Sequence, residues 1–193
     1  MVKPDHLTDE ERQFLLRAAR QALEHGVKKI MLPSPDASCV SPRLLEPGAS
    51  FVTLTVRGDL RGCIGALDPY QPLVEDVREH AVAAALEDYR FPPVQPDELE
   101  AIRIEISRLT VPQPLEYTTP EDLLGKLHPH MDGVVLRDGF QRATFLPQVW
   151  EKIPEAADFL DNLCYKMGAP RDQWRRKHLD VLIYRVEQFQ ESG

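Results

Sequence analysis

Two β-forming runs joined by a short turn constrain this chain more than any other feature. Phe51-Val52-Thr53-Leu54-Thr55-Val56 is built from residue types that suit a pleated, half-buried surface. Arg57-Gly58-Asp59 reads as a turn, and the chain returns as Leu60-Arg61-Gly62-Cys63-Ile64-Gly65-Ala66-Leu67. A hairpin of this kind has an apolar face that must be covered, so the rest of the chain has to supply a second layer. The returning run holds two glycines, Gly62 and Gly65, which inside a strand mark a bulge or a close approach of backbone.

The covering layer is visible on both sides of the hairpin. Thr8 reads as a helix N-cap with Glu11 completing a capping box, and Phe14, Leu15, Ala18, Ala19, Ala22 and Leu23 recur at helical spacing up to Gly26. A proline-rich loop spans 33–47. A second helix is predicted from about Pro72 to Tyr89, with Leu73, Val74, Val77, Ala81, Ala84 and Ala85 inward and Phe91-Pro92-Pro93 as its stop. Ile102, Ile104 and Ile106 alternate with Arg103, Glu105 and Ser107, a strand with one polar face. Thr119-Pro120 opens a short helix, Asp138-Gly139 turns a second hairpin, a helix covers about 154–167, and Leu179–Glu187 reads as one last strand. Distant strands, intervening helices and antiparallel hairpins predict an α+β fold of antiparallel or mixed sheets with flanking helices.

At 193 residues the chain suits one domain with a substantial core. Its net charge of −8 argues against nucleic-acid or membrane binding through charge alone, because both targets are negative. The basic run Arg171, Arg175, Arg176, Lys177 is interrupted by Asp172 and Trp174 and reads as a solvated helix face. No segment is apolar for long enough to span a bilayer, and Met1–Glu11 lacks a signal-peptide pattern. Cys39, Cys63 and Cys164 are odd in number and widely spaced, which predicts free thiols in a reduced, cytoplasmic compartment.

Chemistry is concentrated in the returning run. Strand alternation places Leu60, Gly62, Ile64 and Ala66 on one face, and Arg61, Cys63, Gly65 and Leu67 on the other. Arg61 and Cys63 are then roughly 6.5–7 Å apart at Cα. A guanidinium at that range stabilises a thiolate, and the flanking glycines let a ligand approach. The competing reading is a buried cysteine acting as a small apolar residue beside a bulge. Cys164, on an apolar helix face, reads as core. Glu105 and Ser107 share a strand face with Arg103, so a cleft there would combine an acid, a hydroxyl and a cation. His80 follows the glycine-rich strand on the next helix and is the histidine placed to approach Cys63. His128-Pro129-His130 with Asp132 has the look of a metal-site fragment, but the intervening proline and the lack of a second cluster favour a surface loop and no metal. No phosphate-binding loop, dinucleotide fingerprint or nucleophile elbow occurs, so no cofactor is indicated.

Leu60-Arg61-Gly62-Cys63-Ile64-Gly65 resembles the hallmark hexapeptide of the AMME chromosomal region protein family, known in bacteria and archaea as AmmeMemoRadiSam system protein A. Ala83–Pro93 with Glu98-Leu99 and Ile104–Leu109 follows that family's second block. Asp132–Leu136 and Ala143–Trp150 follow its third, so the resemblance covers nearly the whole chain as one AMME-type domain, 1–193. It implies an α+β fold with a larger and a smaller lobe packed around a groove, with the hexapeptide near it. It also implies association with a Memo-like protein and a radical S-adenosylmethionine protein, and it assigns no reaction. Cys63 and Arg61, which the resemblance picks out, and Glu105, from the strand pattern, are the catalytic candidates. Gly62, Gly65, Asp88, Arg90 and Ser107 are the ligand-binding candidates, with Arg61 and Arg90 suited to a small anion. Two functions follow: a small-molecule-binding or catalytic protein using the hexapeptide groove, or a non-catalytic accessory protein for a Memo-like or radical S-adenosylmethionine partner.

Overall fold

The capping box read at Thr8 is formed: its hydroxyl accepts the Glu11 N–H at 3.2 Å and the Glu11 carboxylate accepts the Thr8 N–H at 2.9 Å. Helix α1 (Asp9–Lys28) then runs two residues past Gly26, the predicted stop. Gly26 serves packing instead, since a Cβ there would lie 2.9 Å from Val82 Cγ1. The left-handed residue that closes the helix is Lys29, at φ 55°, whose N–H reaches the Gly26 carbonyl at 3.1 Å.

The computed structural model describes residues 6–34 and 40–192, so Cys39 and the middle of the proline-rich loop lie outside the described residues. The strands in chain order are β1 (Pro47–Val56), β2 (Asp59–Gly65), β3 (Gln71–Pro72), β4 (Ile102–Leu109), β5 (Gln113–Pro114), β6 (Gly133–Asp138), β7 (Gln141–Phe145), β8 (Asp180–Tyr184) and β9 (Val186–Gln190). The remaining helices are α2 (Leu73–Leu86), α3 (Pro120–Lys126), α4 (Ala156–Met167) and the one-turn α5 (Gln173–Arg176). They form two units: residues up to Thr110 together with those from Glu187 onward, and Val111–Val186. The fold is α+β, with two antiparallel sheets and flanking helices, as the sequence pattern predicts.

The first unit holds the sheet β2-β1-β4-β9, with the short β3 against β1. Val52, Leu54, Ile102, Ile104 and Ile106 form its covered face and pack with Leu15, Leu16, Ala19 and Leu23 of α1 and Val74, Val77, Ala81 and Ala84 of α2. Strand alternation therefore turns Thr53, Glu105 and Ser107 away from the helices. The β1–β2 register shifts between Leu54 and Thr55: Thr55 pairs Leu60, but Leu54 pairs Gly62. Arg61 is the extra residue of a bulge. Leu60 consequently shares the face of Thr55 and not, as uninterrupted alternation predicts, that of Gly62. Thr53 pairs Cys63 on one side and Glu105 on the other.

The second unit holds the sheet β5-β8-β6-β7 and its own core. Trp150 and Phe159 stack there at 3.7 Å with planes 6° apart, and Cys164 is wholly buried beside them. The predicted last strand, Leu179–Glu187, is instead two strands in two sheets, β8 and β9, separated at Arg185. Glu187 explains the division. Its carboxylate is buried in the first unit, accepting hydrogen bonds from Arg108 at 3.1 Å and the Leu7 N–H at 3.3 Å, with His6 Nδ1 at 2.8 Å.

Candidate functional site

Strand β2 is an edge strand, so the backbone groups of alternate residues have no neighbouring strand to meet. At Cys63 side chains take that place. Asp88, just beyond the end of α2, accepts the Cys63 N–H at 2.8 Å, while Arg90 Nη2 donates to the Cys63 carbonyl at 3.3 Å. The two side chains also hold each other, Arg90 Nε and Nη2 donating to the two Asp88 oxygens at 2.9 and 2.6 Å. The Arg90 guanidinium keeps the buried Asp88 carboxyl far below the usual carboxylate range, helped by the Cys63 N–H. Sequence reading placed Asp88 and Arg90 beside Cys63; the structure brings them onto its backbone.

Arg61 is also engaged. Its Nε and Nη2 donate to the two carboxylate oxygens of Glu98 at 2.8 and 3.0 Å, and Nη1 donates to the Pro92 carbonyl at 2.9 Å. The fork-to-carboxylate geometry is the strong, charge-assisted kind, and it lowers the Glu98 pKa. The glycines have steric reasons. A Cβ on Gly62 would lie 2.0 Å from the Ala84 carbonyl oxygen of α2, and one on Gly65 would lie 2.4 Å from both the Phe51 ring and the Ser50 carbonyl oxygen. Only a residue without Cβ lets strand and helix meet this closely.

The side chain of Cys63 is left for presentation. Gly62 meets α2, so its neighbour Cys63 points to the opposite face, half-buried, where the Thr53 hydroxyl donates to Sγ at 3.2 Å. Cys63, Thr53 and Glu105 form one row across β2, β1 and β4, about 10 Å from end to end at Cα. The next row is Gly65, Phe51 and Ser107, and the buried Ser107 hydroxyl accepts Gln188 Nε2 at 3.4 Å. Glu105 is half-buried, and among the described residues its carboxylate has neither a hydrogen bond nor an ion pair. A sulfur, a hydroxyl and a carboxylate in a line can hold a small ligand, with one nucleophilic atom and one proton acceptor.

The other candidates sit elsewhere. Cys164 lies in the second unit's core, where burial pushes its thiol pKa up. His80 is on α2, the side of the sheet that Gly62 faces, and not the side of the Cys63 thiol. Its Nδ1 lies 3.2 Å from Asp76, a fully buried acid that accepts the Ser50 hydroxyl at 2.6 Å. Sequence reading turned His80 toward Cys63 and missed Ser50 and Asp76, whose contact joins residues 26 apart in the chain. Asp132 is buried and accepts the His128 N–H at 2.8 Å, with His128 Nδ1 at 3.1 Å, so it organises its own loop. Among the described residues no group of three or more His, Cys, Asp or Glu could hold a metal ion. The basic run is paired: Arg175 with Asp161 at 2.6 Å, Lys177 with Asp138 at 2.6 Å, and Arg176 with Asp172. No helix among the described residues is long and apolar enough to cross a membrane. Thr53, which touches the thiol, was also missed, because its position opposite Cys63 depends on the bulge.

The AMMECR1 family model matches residues 16–189. A protein of Methanothermobacter thermautotrophicus is 37% identical over 197 residues, covering 97% of each chain. Protein MK0488 of Methanopyrus kandleri is 38% identical over 199 residues, covering 97% of this chain and 92% of its own. Among solved structures, the uncharacterized protein PH0010 of Pyrococcus horikoshii superimposes with a TM-score of 0.74 at 34% identity, covering 96% of this chain and 94% of that one.

Proposed function

The chain belongs to the AMMECR1 family, and we propose that this member is a small-molecule-binding or catalytic protein working through the sheet face that carries Cys63. The supporting observation is the half-buried thiol with the Thr53 hydroxyl donating to it at 3.2 Å, in a row that ends on the unpaired carboxylate of Glu105. In this reading Cys63 contacts or attacks the ligand, Glu105 accepts or returns a proton, and Thr53 and Ser107 orient by hydrogen bonds. Arg61, Gly62, Gly65, Asp88 and Arg90 are positioning residues. They hold the backbone of β2 so that the sulfur occupies one place.

The test is site-resolved alkylation by iodoacetamide at neutral pH, read by peptide mapping of the native protein. Cys63 should be modified at least about tenfold faster than Cys164, whose thiol is buried and shifted toward the unreactive form. Equal rates at the two sulfurs remove the reading.

A further inference from the structure

We infer that the Cys63 face takes a ligand that presents a cationic or hydrogen-bond-donating group to Glu105, in place of the small anion that two nearby arginines suggest in the sequence. The inference rests on the preceding reading of that face and specifies its ligand class. Both arginines are neutralised where they stand: Arg61 is bidentate on Glu98, and Arg90 is bidentate on Asp88. Neither has a free fork to offer an incoming carboxylate or phosphate.

Glu105 is different. It is held on the middle of a strand, at the far end of the row from Cys63, and has no partner among the described residues. Arg103 shares its side of β4 but is exposed, and its Nη1 donates to the carbonyls of Glu100 and Ile102, both at 3.4 Å. Thr53, Ser107 and Gln188 are uncharged. Two side chains on this face lack an ion-pair partner among the described residues: the half-buried Glu105, about 10 Å from Cys63 at Cα, and the exposed Arg103, two residues further along β4 and more fully screened by solvent. At that distance, with an effective dielectric between water and a protein surface, a unit charge changes local concentration by roughly 2- to 20-fold. Beside Glu105 a cation is enriched and an anion is depleted, and the exposed Arg103 reduces the difference.

Charged methanethiosulfonates test this on the native protein. The Cys63 thiolate attacks the sulfenyl sulfur, a disulfide forms, and methanesulfinate leaves with the electron pair, so a single chemistry reports on either charge. The rate with the trimethylammonium reagent, divided by that with the sulfonate reagent and normalised to the uncharged thiol 2-mercaptoethanol, should exceed one by at least about twofold at low salt. It should fall toward one in 1 M salt. The chain's overall −8 charge also favours cations, so the deciding comparison is internal. Glu105→Gln should remove most of the preference and Glu105→Lys should invert it, with melting temperatures checked to keep folding out of the result. A wild-type ratio at or below one, or a ratio unchanged in Glu105→Gln, overturns the inference. Failure of Cys63 to outreact Cys164 with neutral iodoacetamide overturns the underlying reading instead, so the two failures are distinguishable.

Discussion

The molecule contains the same supersecondary unit twice. The β1–β2 hairpin turns through Arg57 and Gly58, at φ 54° and 90°, and the β6–β7 hairpin turns through Gly139 at φ 60°. In each, the returning strand is the edge of its sheet. The edges are managed differently. On β7 two side chains reach backbone carbonyls, Lys166 donating to that of Thr144 at 2.9 Å and the Tyr184 hydroxyl to that of Phe145 at 3.1 Å, and neither is part of an ion pair there. On β2 an ion pair takes both backbone groups of Cys63, a second pair anchors Arg61, and a helix carbonyl closes on Gly62. A β7-type edge needs only to avoid pairing with another chain. Locking β2 so completely fixes where one side chain points, which is what a site requires.

Substitutions that test the contrast differ in size. Gly62→Ala drives a Cβ against backbone that cannot yield, and should cost about 3 kcal/mol or more, or prevent soluble expression. The matched change Gly139→Ala meets no atom within 4 Å and strains only the turn, costing about 1–2 kcal/mol. Equal losses in urea denaturation would break the comparison.

Asp88→Asn comes next. Removing a charged partner of Cys63 and Arg90 should cost about 2 kcal/mol, against about 1 kcal/mol for Lys166→Met on the other edge. The pH dependence identifies the cause. The folded Asp88 pKa lies below its unfolded value near 3.9, so its contribution is complete above that value and is lost as pH falls toward the folded one. The gap between wild-type and Asp88→Asn melting temperatures should be constant from pH 7 to about 5 and narrow below about 4. A gap that stays constant down to about pH 2.5 would show that the carboxyl is not held low.

The smallest effect should come from Thr53→Val, which keeps the shape and removes the donor to Sγ. Alkylation of Cys63 should slow by roughly 2- to 10-fold, with stability changing by less than about 1 kcal/mol. An unchanged rate would show that the hydroxyl packs against the sulfur without acting on it.

The candidate site was partly legible. Glycines inside a β-forming run marked Gly62 and Gly65 as places of close approach, and strand alternation separated Cys63 from Gly62. Thr53 was not legible. A simple count from the turn, with Val56 opposite Asp59 and Thr55 opposite Leu60, would set Gly62 against Thr53; the bulge at Arg61 moves Cys63 there. The partners of the motif were hidden for a similar reason. Asp88 lies 25 residues from Cys63 and Glu98 lies 37 from Arg61, separations at which no periodicity operates.

From residues alone follow the elements themselves: the Thr8 cap, the Ile102–Ile106 alternation, both hairpin turns and the buried face of Cys164. Each is set by neighbours within about one helical turn or two strand residues, a range over which backbone geometry repeats. Tertiary structure alone decided which carboxylate meets which guanidinium, that residues 180–190 split between two sheets, and that both arginines of the hexapeptide region are neutralised while Glu105 is not. Those outcomes depend on where the chain returns in space. A charge's chemistry is set by the company it keeps there and not by its position along the chain.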